Sequence, residues 1–389
     1  MIKHIGFSLI IFLFSCDDGK KGKKHNKKVN NYQLSKIEAT KIKEELYKKF
    51  SNEILVNRLQ EMEDYVIKIN DKEIKFDLKF FGTKPETGWE LFFSLHGGGG
   101  VPDSVNENSW NRHKTLYSLK NGILLTPRSP TNTWNMWHQE HIDIFFNRLI
   151  QNMIAFHDVN PNKIYIMGYS AGGDGVYQIA PRMADRFAAA AMMAGHPNDA
   201  NPLGLRNTGF TIHMGANDSA YNRNKVAIEW KDRLQELSDN DANAYHHLVK
   251  IHKNKGHWMG GLDTSAISWI SKFTRDPFPR TVVWKQDDIS HERFYWLKVI
   301  KPLENSLLKA SITNQTIIIE KTSVSDFIIR LNDYLIDMDK NIIVRYKGLE
   351  IFNSIVLRNR NTIEKSIYEY GDPQSVYFGE IPISLNISK

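Results

Sequence analysis

A serine with glycines two positions before and two after it, Gly168-Tyr169-Ser170-Ala171-Gly172, closes an apolar run that begins at Lys163. A serine hydroxyl is a poor nucleophile at neutral pH. To attack a carbonyl it needs an imidazole to take its proton, an acid to orient that imidazole, and N–H donors for the oxyanion that develops. Candidates for each follow in the chain. Asp218 ends the loop Gly215-Ala216-Asn217-Asp218, directly after the run Phe210 to Met214, and His257 stands in Lys255-Gly256-His257-Trp258, after the run His246 to His252. Asp199 and Asp241 are less well placed as the acid, and His246, His247 and His252 read as strand residues. For the oxyanion, the backbone N–H of Ala171 is one donor and the run Gly97–Gly100 offers the second, Gly98 first and Gly99 as the alternate, because glycine there admits close backbone approach and positive φ. No Lys-Ser or Lys-Thr follows those glycines, so a phosphate loop is not indicated.

The elements that must position these residues are legible in the periodicity. Leu34 to about Met62 shows near-helical spacing and predicts one or two surface helices. From Asp64 the period changes to two, giving strands at 65–70, 75–81 and 89–95, the last ending at His96 and the glycine run. Strands at 123–127, 164–167, 188–193, 210–214 and 246–252 then alternate with helices at 141–156, 176–183, 223–237 and 263–273. That alternation predicts an α/β doubly wound, mostly parallel sheet. After Arg275-Asp276-Pro277-Phe278-Pro279 the alternation stops, and short strands at turn-separated spacing predict a smaller C-terminal all-β sandwich domain.

Taken together, His96-Gly97-Gly98-Gly99, Gly168-Tyr-Ser-Ala-Gly172, Asp218 and Gly256-His257 resemble the α/β-hydrolase superfamily, over roughly residues 64–275. The resemblance is to its serine esterases, in the phospholipase/carboxylesterase and the feruloyl-esterase or polyhydroxybutyrate-depolymerase-like branches. It implies an acyl hydrolase that works through an acyl-enzyme intermediate, with Ser170, Asp218 and His257 catalytic, Gly98 and Ala171 as oxyanion donors, and neither metal nor organic cofactor. It does not fix the substrate. Trp134, Trp137 and Trp258 flank the candidate site and suit sugar faces or aryl-acyl groups, so they are the expected substrate-binding residues. Arg128 is placed to meet a substrate carboxylate or to pair with an acid. His138 and His141 share a helical face, but no further metal ligand accompanies them.

Charge and the N-terminus bound where such a protein works. The net charge is +7, and residues 1–50 alone carry twelve lysines against five acids. The remaining chain is therefore neutral, which argues against nucleic acid as a partner. Met1-Ile2-Lys3-His4 is a short basic start, Ile5 to Phe14 is too short to span a bilayer, and Leu13-Phe14-Ser15-Cys16 resembles a bacterial lipobox. The expected organisation is a signal segment over 1–15, lipidation at Cys16, a basic tether over 16–33, a hydrolase domain over 34–275 that includes the N-terminal helical segment, and a β-sandwich-like domain over 276–389. The expected location is the cell envelope, facing the periplasm or the cell surface on a lipid anchor, with an ester, carbohydrate-linked or small, as substrate. Two other readings stand beside it: a serine peptidase of the same fold, and a non-catalytic surface lipoprotein that holds glycan or protein.

Overall fold

A computed structural model describes residues 33–386. The expected signal segment, Cys16 and the tether up to residue 32 lie outside the described residues. Helix α1 (Lys36–Asn57) starts at a reciprocal cap, in which Ser35 Oγ accepts the Glu38 N–H at 3.2 Å and the Glu38 carboxylate accepts the Ser35 N–H at 2.8 Å. The short α2 (Leu59–Glu63) leads into the antiparallel pair β1 (Val66–Ile69) and β2 (Lys72–Phe81). Then follow β3 (Trp89–Leu95), α3 (Asp103–Leu116), β4 (Gly122–Arg128), α4 (Glu140–His157), β5 (Val159–Tyr169) and α5 (Ala171–Arg182). The alternation continues through β6 (Ala189–Met193), β7 (Gly209–Gly215), α6 (Arg223–Asn240), β8 (His247–His252) and α7 (Ser265–Ile270).

The eight strands form one sheet in the order β1-β2-β4-β3-β5-β6-β7-β8. From β4 to β8 every pairing is parallel, and only β2, antiparallel to both β1 and β4, runs the other way. Strands covered on both faces should read as continuous apolar runs, and β4, β6 and β7 are buried at every position. The parallel arrangement matters for chemistry because it puts the ends of β3, β5, β7 and β8 on one edge of the sheet. The glycine run, Ser170, Asp218 and His257 each lie on the loop leaving one of those ends.

The C-terminal part adds strands β9 (Thr281–Lys285), β10 (Arg293–Phe294), β11 (Leu297–Val299), β12 (Leu307–Thr313), β13 (Thr316–Thr322), β14 (Asp326–Leu331), β15 (Ile342–Tyr346), β16 (Leu349–Ser354) and β17 (Gly379–Ser384). They build a five-stranded sheet, β16-β15-β13-β12-β9, and a four-stranded one, β10-β11-β14-β17. Two features differ from the sequence reading. The part is not all-β: helix α8 (Arg360–Tyr370) begins at Asn359, whose side chain accepts the Asn361 N–H, and it buries Ile363, Ile367 and Tyr370. The apolar face of α1, expected with the hydrolase domain, lies instead in the second core: Ala39, Leu46, Phe50 and Ile54 are buried with Trp296, Phe327 and Ile367.

The two parts share a polar seam. Arg275 is almost wholly buried; it contacts the Asp372 carboxylate at 2.5 Å and donates to the Asp185 carbonyl at 2.6 Å. His291 meets Asp143 at 2.9 Å, and the Tyr295 hydroxyl donates to the Ala184 carbonyl at 2.9 Å. The bonds of Asp372, His291 and Tyr295 join the C-terminal part to Arg275 after α7, to Asp143 on α4 and to Ala184 after α5. Buried charges tolerate such a position only when paired, so the C-terminal part is built into the molecule rather than strung on a linker.

Candidate active site

Ser170 sits on the turn between β5 and α5 with φ 58° and ψ −124°, a region that non-glycine residues rarely occupy. Its N–H is bonded to the Met193 carbonyl at 2.9 Å, which pins the turn to β6. The flanking glycines are needed for space. A Cβ on Gly168 would come within 2.2 Å of the Gly172 carbonyl oxygen, and one on Gly172 within 2.1 Å of the Leu95 oxygen. Strand, turn and helix therefore pack backbone to backbone, and the serine side chain is left above the sheet edge.

The three residues expected to form a relay are together. His257 Nε2 lies 2.9 Å from Ser170 Oγ, and His257 Nδ1 lies 2.7 Å from Asp218 Oδ2. With Asp218 an acceptor, Nδ1 carries the proton and donates it, which leaves Nε2 to accept from the serine hydroxyl. Asp218 is buried, whereas the imidazole is 43% exposed, so a substrate reaches the base and not the acid. Asp199 instead accepts from Gln178 Nε2 at 2.9 Å, and Asp241 is paired with Arg206 at 2.7 Å.

Supporting contacts that the sequence did not disclose fix these loops. Gly215 lies so close to the histidine loop that a Cβ there would meet the Gly256 oxygen at 2.1 Å. The Asn217 N–H donates to the Lys255 carbonyl at 2.8 Å. Acid and base loops thus touch through backbone. Tyr169, next to the serine, donates its hydroxyl to the His257 carbonyl at 2.5 Å and accepts the Met259 N–H at 3.1 Å. Burial pushes its phenol up to about 12, so it stays a neutral donor.

The glycine run is held just as firmly. His96 is wholly buried; its Nε2 accepts the Ser129 N–H at 3.1 Å, so its Nδ1 is the protonated nitrogen and donates to the Gly97 carbonyl at 2.7 Å. Carbonyl and N–H point in opposite directions across a trans peptide, so tying back the Gly97 carbonyl turns the Gly98 N–H the other way. Buried Asn106 accepts the Gly99 N–H at 2.9 Å and returns a bond to the Gly99 carbonyl at 3.0 Å. That decides between the two glycines: the Gly99 N–H is occupied, whereas the Gly98 N–H, at φ +121°, has no partner among the described residues. Gly98 and Ala171 line one cleft together with Ser170.

The tryptophans separate. Trp134 is 64% exposed and lines that cleft. Trp137 does not meet substrate: it is fully buried, donates its indole N–H to the His96 carbonyl at 2.9 Å, and packs where a Cβ on Gly175 would sit. Trp258 lies outside the cleft lining and stacks under the Arg112 guanidinium at 4.4 Å. Arg128 is consumed by Asp103 and Glu107, at 3.0 and 2.9 Å, and is not offered to a substrate. Among the described residues, one group of carboxylates is close enough to share a cation, Asp199, Asp287 and Asp288.

An eight-stranded, mostly parallel sheet, a strained serine after its central strand, and the acid and histidine following later strands decide the fold. Residues 64–275 have the α/β-hydrolase fold. No family model and no curated protein matches the sequence. Similar solved structures include a thermostable esterase at 17% identity and TM-score 0.42, covering 54% of this chain and 62% of that one. They include a ferulic acid esterase of the anaerobic fungus Anaeromyces mucronatus, at 15% identity and TM-score 0.39, covering 54% and 88%. A carboxylesterase from Mesorhizobium loti shares 18% identity at TM-score 0.36, covering 53% and 99%. The chain thus spans less than two thirds of the thermostable esterase's length.

Burial pushes His96, His113 and His213 each down to about 3. In the unfolded chain these rings take up protons near pH 6.5, so between about 3 and 6.5 the unfolded state holds more protons. Their contribution to stability is full above pH 6.5 and is lost as pH falls. His138, pushed down to about 4 by burial, acts in the same sense, whereas Asp287, pushed up to about 6, and Glu90, Asp174 and Asp263, also pushed up by burial, act in the opposite one. The melting temperature should drop between pH 7 and pH 5, by on the order of 5–10 °C. A melting temperature that stays level or rises over that interval, measured by calorimetry, would contradict this account of the imidazoles.

Proposed function

We propose that this chain is a serine carboxylic-ester hydrolase that works through an acyl-enzyme intermediate. The observation that carries the reading is the pair of hydrogen bonds linking Ser170, His257 and Asp218. Ser170 Oγ attacks the ester carbonyl carbon while His257 Nε2 takes the hydroxyl proton, and Asp218 holds the imidazole in the tautomer that makes Nε2 the acceptor. The carbonyl oxygen becomes an anion facing the Gly98 and Ala171 N–H groups; one such donor is worth about 10²–10³ in rate. The tetrahedral intermediate collapses as His257 returns the proton to the leaving alkoxide, which departs as the alcohol. Water, deprotonated by the same imidazole, then attacks acyl-Ser170 and frees the acid. Carbohydrate-linked and small esters are the substrates this reading favours, and Trp134 is the ring left to stack on them.

Hydrolysis of p-nitrophenyl acetate and butyrate by the soluble chain tests it. Ser170→Ala should lower kcat/KM by at least about 10³-fold without lowering the melting temperature; equal rates for the two proteins would refute the assignment. Faster cleavage of dipeptide p-nitroanilides than of either ester would favour the peptidase reading.

A lipid on Cys16 would hold this activity at the cell envelope, the tether giving it reach from the membrane. The support is the lipobox-like Leu13-Phe14-Ser15-Cys16. Cells expressing the full chain should incorporate labelled palmitate into it, and Cys16→Ala should abolish the label. Label persisting in Cys16→Ala, or missing from the native chain, would remove the anchor.

A further inference from the structure

The cleft that holds Ser170, Gly98 and Ala171 has a volume of about 600 Å³ and continues past Trp134 to Asp174 and Arg223. His257 does not line it. In acyl transfer to serine the leaving alcohol must sit at the imidazole nitrogen that protonates it. Space beside the nucleophile and the oxyanion donors, but away from the imidazole, is therefore the acyl side of the site.

Arg223 is the unusual member of this wall. Its side chain is only 12% exposed, and the Asp218 carboxylate is 3.8 Å from Nη1, beyond hydrogen-bonding distance. Its guanidinium makes no hydrogen bond among the described residues; Nε is shut off from solvent, so Nη1 and Nη2 are the donors a group in the cleft can meet. Donors held with so little exposure and no acceptor are uncommon unless something else meets them. Tyr221 and Asn222 both have positive φ, 54° and 56°, and the Tyr221 ring lies 4.8 Å from the guanidinium carbon. Charge narrows the missing acceptor. Asp174 lines the same cleft and Asp218 stands close behind, so the cation already has two acids around it. A third carboxylate would enter net negative surroundings, whereas a neutral oxygen would not.

We propose that Arg223 is the specificity residue of the acyl side, donating hydrogen bonds to a neutral oxygen, as hydroxyl, ether or carbonyl, carried on the acyl group of the ester. The proposal rests on the serine-hydrolase reading and names which esters that site prefers.

Three p-nitrophenyl esters with the same leaving group isolate the acyl side: pentanoate, its ether isostere 3-methoxypropanoate, and hemisuccinate. Each kcat/KM is divided by the ester's rate with hydroxide, which removes intrinsic reactivity. The native chain should favour methoxypropanoate over pentanoate by about tenfold, the worth of one such hydrogen bond. In Arg223→Met that ratio should fall to near one, and in Arg223→Lys it should be partly kept. Arg223→Lys carries the comparison if Arg223→Met does not fold. A ratio of one in the native chain, or one that Arg223 variants leave unmoved, overturns the proposal. Equal losses on all three esters overturn it in favour of a role at Asp218, and hemisuccinate as the best native substrate overturns it in favour of an anionic ligand. Failure of the hydrolase reading itself shows separately, as no turnover of any of the three by the native chain.

Discussion

The site depends on one backbone conformation. Ser170 is held at a positive φ that a residue with a side chain resists, at a cost of about 1–3 kcal/mol. It is kept there because everything around it is backbone: the Met193 carbonyl on its N–H, Gly172 against Leu95, Gly168 against Gly172. Relaxing the turn would require strands β3 and β5 to part from α5, which the buried core between them resists. The strain is thereby spread over the parallel sheet, and the hydroxyl stays fixed where an imidazole arriving from another loop can find it.

The same economy of contact governs the partners. The acid and histidine loops meet at Gly215 and Gly256, and the histidine loop is tied to the serine turn by the Tyr169 hydroxyl. The oxyanion loop hangs from His96 and Asn106, both buried and both fully engaged with backbone. Ser170, His257 and the glycine loop are thus each oriented by a neighbour that lies outside the cleft lining. His96 performs this only as a neutral ring, since its Nε2 must accept, and burial enforces that neutrality.

The candidate relay was legible in the sequence because its residues stand in short motifs at strand ends. Position on a loop directly after a strand favours Asp218 over Asp199 and Asp241, and His257 over the strand residue His252. The strands of the parallel sheet were legible for the same reason: buried on both faces, they read as apolar runs. What escaped notice depends on contacts between residues distant in the chain. Trp137 and Trp134 are three residues apart and of one type, yet one ring fills the space above Gly175 and the other faces the cleft. The engagement of Arg128 with Asp103 and Glu107, and the isolation of Arg223, are likewise properties of the folded neighbourhood. Helix α8 is a different case: Ile363, Ile367 and Tyr370 lie at helical spacing, but the short strands around them masked the period. The pairing of α1 with the second core follows from which apolar face is free, and both domains offered one.

The C-terminal part, joined by buried pairs such as Arg275 with Asp372, contributes no residue to the lining of the cleft that holds Ser170. The central claim is that Ser170 is activated by its neighbours. Labelling with a fluorophosphonate, followed by peptide mass mapping, tests it most directly, because only an activated serine is phosphonylated. One adduct is expected, on the peptide containing Ser170, with labelling slowed sharply in His257→Ala and in Asp218→Asn. Absence of any adduct, or labelling at Ser170 equally fast in both variants, would contradict the account.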